Sequence, residues 1–190
     1  MIQSILRFDY MVFSRINGQW HNSFLDLVLP FMRNPFFWVP LYLFLLLFMT
    51  INFTWKGVLW CVFFLLTFGC TDFVNSHLIK FWVLRIRPCN DPVMSHFTRL
   101  LIPCGSGYSF PSSHATNHFG LAMFMFLSLR GKFGPWMALA FVWAFIVSYS
   151  QIYVGVHYPI DVTAGCLIGL FFGSITGRIF NRKIGLEPFK

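Results

Sequence analysis

The chain has 190 residues, of which 57% are hydrophobic and 11% charged, with a formal net charge of +8. That balance lies far from a soluble globular average and excludes an ordinary water-soluble domain, while the length fits a single one. The basic residues are dispersed around apolar stretches, with no basic stripe interleaved with stacking aromatics; this argues against nucleic acid and fits the charge bias of a membrane protein.

Residues 2–16 set Ile2, Ile5, Leu6, Met11, Val12, Phe13 and Ile16 against Gln3, Arg7, Asp9 and Arg15 at helical spacing, which predicts a short amphipathic helix. Asn17-Gly18 is expected to end it as a turn. A second short helix should begin at Asn22 or Ser23 and run to about Met32. Neither is apolar enough to span, so both are expected at the membrane interface. Arg7 and Asp9 interrupt any apolar leader core, so no cleavable signal peptide is expected.

Five spans are expected after these, at 36–52, 57–79, 112–129, 135–149 and 159–179. Pro40 falls in the opening turns of the first, where proline is tolerated. The linkers N-F-T-W-K and R-G-K-F-G are so short that the helices they join must be antiparallel neighbours. The expected fold is all-α: one membrane-embedded bundle over 1–190, with interfacial helices in 1–33, a core in 36–179 and a cytoplasmic tail in 180–190. Gly165, Gly169, Gly173 and Gly177 recur every four residues and give the last span a smooth face. Contact inside the bundle is the main reading of that face and dimerisation the lesser one, so a monomer or weak homodimer is expected.

Three polar stretches interrupt the apolar pattern. Lys80 and Arg87 lie seven apart before Pro88, a spacing that puts a point charge and a planar fork on one helical face, as a phosphate would want. Snorkelling cations at a membrane boundary would read the same way. In G-S-G-Y-S-F-P-S-S-H, Ser112 and Ser113 are a helix N-cap signal, and His114 enters the first turn. A helix start offers free N–H groups and positive dipole to an anion, and histidine adds a proton donor. A plain capped helix is the alternative. In the third stretch, S-Q-I-Y-V-G-V-H-Y-P-I-D, His157 and Asp161 are four apart. An aspartate there can fix the imidazole tautomer and leave the other nitrogen as a nucleophile, or can simply favour a helix start.

Each stretch alone is ambiguous; the ordered trio is not. K-x6-R-P, P-S-x-H and S-x6-H-x3-D resemble the type 2 phosphatidic acid phosphatase (PAP2) membrane phosphatases, with motifs from Lys80 to Asp161. The resemblance implies metal-independent hydrolysis of a lipid phosphate or diphosphate through a phosphohistidine, with no cofactor. It implies that His157 attacks phosphorus, Asp161 orients it and His114 protonates the leaving oxygen. Lys80, Arg87, Ser112 and amides near Ser113 would hold the phosphate, with Gln151 beside them. Gln151 departs from the pattern, since arginine usually follows the third-motif serine; glutamine can still donate a hydrogen bond, and Arg85 or Arg99 are candidates to compensate. Ser113 replaces a common glycine, a milder change. The family often has an extra span before its core; here only the interfacial helices occupy that place.

Among envelope substrates the reading leans to undecaprenyl diphosphate, beside lipid A phosphates, phosphatidylglycerophosphate and phosphatidic acid. The alternatives are a phosphotransferase using the same phosphohistidine and a non-catalytic lipid-binding protein, the latter suggested by Gln151. Lysine and arginine divide seven to seven between the two sides. Discounting Lys80 and Arg87 as substrate ligands and the N-terminal arginines as interfacial puts the tail inside and loop 80–110 outside, in a bacterial inner membrane with a periplasmic site. Cys89 and Cys104 share that loop and could be bonded or free. Asp72, Asn75 and His77 lie near the outer end of the second span, where Asp72 and His77 are candidate supports of the site or helix-to-helix contacts; Tyr108 and Phe110 are candidate walls. His114 and His118, four apart, lack an evident third metal ligand.

Overall fold

In the computed structural model, residues 2–186 are described. Helix α1 (Ile2–Ser14) continues through a π-turn, Arg15–Gln19. Helix α2 (Ser23–Met32) starts where the Asn22 side chain accepts the Leu25 N–H at 2.9 Å. Helix α3 (Val39–Phe73) is two arms, because Thr54 leaves helical geometry at φ 48°. The chain doubles back so tightly there that a Cβ on Gly57 would lie 1.8 Å from the Met49 carbonyl oxygen. A π-turn, Val74–Ile79, leads into the single turn α4 (Lys80–Val83). A long loop then runs to α5 (Ser113–Phe133), which reverses at Gly134 (φ 64°) into α6 (Leu139–Tyr153). Helix α7 (Pro159–Lys183) completes the bundle and takes in the first residues of the expected tail; 187–190 and Met1 lie outside the described residues.

By length and composition three stretches can cross a membrane: Pro35–Asn90, Ser113–Tyr153 and Pro159–Lys183. Thr54 and Gly134 fall inside the first two, in the short linkers at which the sequence divides them. Leu47, Ile51, Leu65, Phe145 and Phe171 point outward, which is stable when the surrounding solvent is hydrocarbon. Trp55 and Trp136 are exposed at one end of the bundle, and Trp20 and Trp82 at the other, as in the aromatic belts of membrane proteins.

The glycine face of α7 meets α5. A Cβ at Gly165 would lie 2.7 Å from the Ser112 carbonyl oxygen, at Gly169 2.3 Å from that of Thr116, and at Gly173 2.2 Å from that of Gly120. Two backbones therefore run in direct contact, as small residues permit in lipid. Around α5, Met49, Trp60, Leu121, Phe124 and Phe180 form one core, and the Trp60 indole donates to Ser128 Oγ at 2.8 Å. A second core caps one end: Phe13, Ile16 and Leu29 from the N-terminal helices pack on Tyr153, Val156 and Tyr158.

The expected turn at Asn17-Gly18 is instead a helical connector. Asn17 is fully buried; its Nδ2 donates to the carbonyls of Arg99 (2.7 Å) and Tyr153 (2.8 Å), and its Oδ1 accepts the Arg99 N–H (2.7 Å). A buried amide with three partners holds the chain where a surface Asn-Gly would turn it. The Tyr153 hydroxyl donates to Asp26 at 2.6 Å, and Arg99 pairs with the same carboxylate and pulls its pKa down. Cys89 and Cys104 are bonded, with Cα atoms 5.9 Å apart, so the long loop is stapled beside this cap.

The α5–α7 contact predicts a sharp position dependence. Gly173→Val should destabilise the bundle by about 1–3 kcal/mol or more, since the crowding atom is backbone. Gly131→Ala, which meets nothing within 4 Å, should be neutral or stabilising. Thermal unfolding in detergent of the two variants checks this.

Candidate active site

The site forms where the starts of α5 and α7 meet the loop after α4. Pro159 opens α7, and Asp161 follows in its first turn, fully buried. Its Oδ2 accepts the Tyr158 N–H at 2.9 Å and its Oδ1 accepts Arg85 Nη1 at 2.7 Å. The other arm of Arg85 reaches Asp9 Oδ2 at 2.5 Å, while Asp9 Oδ1 accepts the Ile160 N–H at 2.9 Å. One fork thus joins α1 to the first turn of α7, lying 4.1 Å over the Tyr158 ring. Burial pushes the Asp9 carboxyl pKa up, against the pull of Arg85.

His157 hangs just before this turn, its N–H donating to the Gln151 carbonyl at 3.2 Å. Its Nδ1 lies 3.6 Å from Asp161 Oδ2, aimed at the carboxylate but short of a hydrogen bond. Its Nε2 lies 3.1 Å from Nη1 of Arg87. A guanidinium only donates, so Nε2 must present its lone pair and Nδ1 must carry the proton. Burial, then the Arg87 and Lys80 charges, lower this imidazole's pKa to about 4 against the opposing Asp161, so it rests neutral. Arg87 is itself wrapped by loop carbonyls, donating to Gly107 at 3.3 Å and Val156 at 3.2 Å.

Lys80 and Arg87 do not share a helical face. Helix α4 stops at Val83 because Leu84 turns left-handed (φ 53°), four residues before Pro88. The two cations come together across that turn, close enough to act on one another. Neither has a carboxylate at ion-pair distance among the described residues.

At the start of α5 the serines divide their work. Ser112 sits at the N-cap but its side chain caps nothing; its N–H donates to the Asp161 carbonyl at 3.0 Å, and its buried Oγ has no hydrogen-bond partner. Ser113 Oγ accepts from Asn75 Nδ2 at 2.8 Å, and Asn75 Oδ1 accepts from Thr116 at 3.1 Å. Asn75, which sequence did not single out as a support, therefore steadies the start of α5. Asp72 accepts from Asn117 (3.1 Å) and its charge acts on Lys80, while His77 is stacked on Phe73. Tyr108 packs on Phe81. His114 lies near enough to His157 for their charges to interact. His118 is committed elsewhere: its Nδ1 donates to the His114 carbonyl at 2.8 Å.

Gln151 is completely buried, and its Oε1 accepts a hydrogen bond from Nε of Arg33 at 3.2 Å. Neither expected compensator is available: Arg85 is held by two aspartates and Arg99 by Asp26. Sequence reading placed Arg33 at the interface, yet one signal was there: no Asp or Glu lies between Asp26 and Asp72 to pair with it locally. Asp9 was missed as a site residue for a related reason. On an amphipathic helix an acid is expected on the solvated face, yet the one acid of α1 faces inward.

An apolar cleft of about 690 Å³ runs from this site between the arms of α3 and α5. Tyr42, Leu46, Phe64 and Leu121 line its length; Ser113 and His114 stand at its polar end.

A polar pocket of cations and two histidines at the end of an apolar bundle defines a membrane phosphatase of the PAP2 class. Residues 57–184 match the PAP2 superfamily, and the chain belongs to that lipid-phosphatase family. It is 34% identical to the lipid A 4'-phosphatase of Bacteroides thetaiotaomicron over 91% of this chain and 77% of that protein. It is 28% identical to the undecaprenyl-diphosphatase BcrC of Bacillus subtilis over 95% of this chain and 87% of that one. Two solved structures are similar, each with a TM-score of 0.69. They are a PAP2-type phosphatidylglycerolphosphate phosphatase from Bacillus subtilis (26% identity, 95% of this chain, 88% of that one) and Aquifex aeolicus LpxE (28%, 88% and 93%).

The Asp9–Arg85–Asp161 bridge yields a prediction. Arg85→Leu strands two buried carboxylates and should cost about 3–5 kcal/mol, read as a large fall in melting temperature. Removing one acid's need for it, in Asp9→Asn/Arg85→Leu, should recover part of that loss.

Proposed function

We propose that the protein removes phosphate from a lipid phosphate or diphosphate of the cell envelope through a phosphohistidine on His157. The observation that carries this is the Nε2 lone pair of a neutral, buried imidazole, held toward cations that lack carboxylate partners. In the reading, the phosphoryl group enters between Nε2 and Arg87, and the guanidinium exchanges the nitrogen for phosphate oxygens. Nε2 forms an N–P bond while the P–O bond to the lipid breaks, and His114 gives its proton to the departing oxygen. His114 then takes a proton from water, which attacks phosphorus; the N–P bond breaks and inorganic phosphate leaves. Through both steps Nδ1–H faces Asp161, which stabilises the charge that develops on the ring. Lys80, Arg87 and the free N–H groups at the start of α5 hold the phosphate oxygens, with Ser112 Oγ a further donor.

The apolar cleft ending at His114 supports a substrate whose chains lie in the bundle while its headgroup meets the histidines. Among relatives aligned along nearly the whole chain, the higher identity of a lipid A 4'-phosphatase, 34% against 28% for an undecaprenyl-diphosphatase, favours a lipid A-type phosphomonoester ahead of the undecaprenyl diphosphate that sequence alone preferred. The Cys89–Cys104 bond supports an oxidising compartment for the loop, and with it a periplasmic face for the site in a bacterial inner membrane.

The test is phosphate release from a panel of lipid A, undecaprenyl diphosphate, phosphatidylglycerophosphate and phosphatidic acid. His157→Ala should lower turnover at least about 1,000-fold, and His114→Ala about 100- to 10,000-fold. Label from 32P-substrate should be trapped on wild-type protein as an acid-labile, base-stable adduct and be absent from His157→Ala. Hydrolysis that persists unchanged in the His157 variant would overturn the mechanism.

A further inference from the structure

We infer that Arg33, from the end of α2, is a phosphate-binding residue of this site, held in place by Gln151. The inference rests on the phosphatase reading and adds to it a ligand from outside the three motifs.

Arg33 is a partly buried guanidinium with no carboxylate at ion-pair distance among the described residues. Among the described residues its side chain makes one hydrogen bond, to a neutral acceptor, Gln151 Oε1. That uses Nε and leaves both terminal nitrogens, with their four N–H groups, for another acceptor. The residue that holds it is the one whose main chain holds the nucleophile: the Gln151 carbonyl accepts the N–H of His157. On the other side, Arg33 lies close enough to the His114 ring for its main chain and its charge both to act on it. Arg87 is close enough for the two guanidinium groups to repel, and burial together with that repulsion lowers the Arg33 pKa. Arg33 therefore stands near both histidines, bonded to the residue that holds one and close to the ring of the other.

Cations brought together without acids are unfavourable until an anion arrives. A phosphoryl group placed between His157 and His114 would be that anion, and Arg33 would take its remaining oxygens with a two-pronged fork. Gln151 suits this arrangement better than a cation does. An arginine at 151 beside Arg33 would add a further like charge to a buried site, whereas an amide oxygen accepts from the fork and aims it. The charge that the resemblance expects at position 151 is thus supplied from position 33.

Charge relocation tests the idea. Arg33→Met keeps most of the side-chain stem and should lower kcat/KM for the preferred lipid about 100-fold. It should also weaken the stabilisation of the protein by inorganic phosphate, read as melting-temperature shift against phosphate concentration, by at least tenfold in apparent affinity. Arg33→Met/Gln151→Arg, which moves the guanidinium to the neighbouring position, should recover at least tenfold of both losses; a merely structural Arg33 would not be rescued this way. Gln151→Arg alone should lose activity through crowding of like charge. Arg33→Met within twofold of wild type in both readouts overturns the inference, and so does a folded swap that recovers less than tenfold. Phosphate binding is measured without turnover. If the wild-type protein hydrolyses none of the panel, the phosphatase reading fails and the binding arm still decides the role of Arg33.

Discussion

Everything at the polar end of this bundle depends on one guanidinium between two carboxylates. Arg85 satisfies an oxygen of Asp9 and an oxygen of Asp161, and the two remaining oxygens take N–H groups from the first turn of α7 and the residue before it. No lone pair of consequence is left to the apolar surroundings, which is the condition under which buried ions are tolerable. The planar fork matters as well as the charge. It fixes both carboxylates in one plane and so fixes Asp161 behind His157, where a lysine would leave them free to rotate. An amphipathic helix at the start of the chain becomes part of the site by this route.

The same bridge meets a second constraint from below. Because α5 and α7 touch backbone to backbone along the glycine face, their first turns arrive side by side. The Ser112 N–H can then bond the Asp161 carbonyl, so the helix carrying His114 and the helix that follows His157 share a hydrogen bond at their starts. The distance between the two histidines is set by helix packing that begins at Gly165 against Ser112 and continues along α7 to Gly173 against Gly120. The second arm of α3 packs on this pair, Thr71 bonding Asn117 of α5 and Thr67 bonding Thr176 of α7, and the cleft opens between the two arms and α5. A rigid pair for the headgroup and a looser apolar wall for the chains follow from where the small residues are.

Much of this was legible in the chain. Apolar runs, short linkers and the glycine interval located the helices to within a few residues, since each is a local pattern read against hydrocarbon. The three motifs gathered into one pocket as their order implied. What failed was also physical. A seven-residue spacing between Lys80 and Arg87 reads as one helical face only if the helix persists, and Leu84 ends it. Asn17-Gly18 reads as a turn only if Asn17 is solvated, and it is buried between Arg99 and Tyr153. Partners of Arg85, Arg99 and Arg33 lie far along the sequence, with Arg33 and Gln151 separated by 118 positions. No local pattern encodes which arginine goes where; three of them were in reach of the site, and only the placement of the acids sorts them.

That sorting is the general point about the pocket. Asp9 and Asp161 claim Arg85, and Asp26 claims Arg99, so the acids remove two cations from the reach of a substrate. Among the described residues Lys80, Arg87 and Arg33 remain without acids, around the two histidines. In a medium of low dielectric such a set is costly empty and favourable with a doubly charged phosphoryl group, so affinity for the anion is built from the charges left over after the acids have taken theirs. Seen this way, the glutamine at 151 is not a gap in the pattern. A site needs a certain number of unpaired cations at a certain radius, and a chain that brings one from α2 is better served by a neutral acceptor at 151 than by another charge competing for the same space.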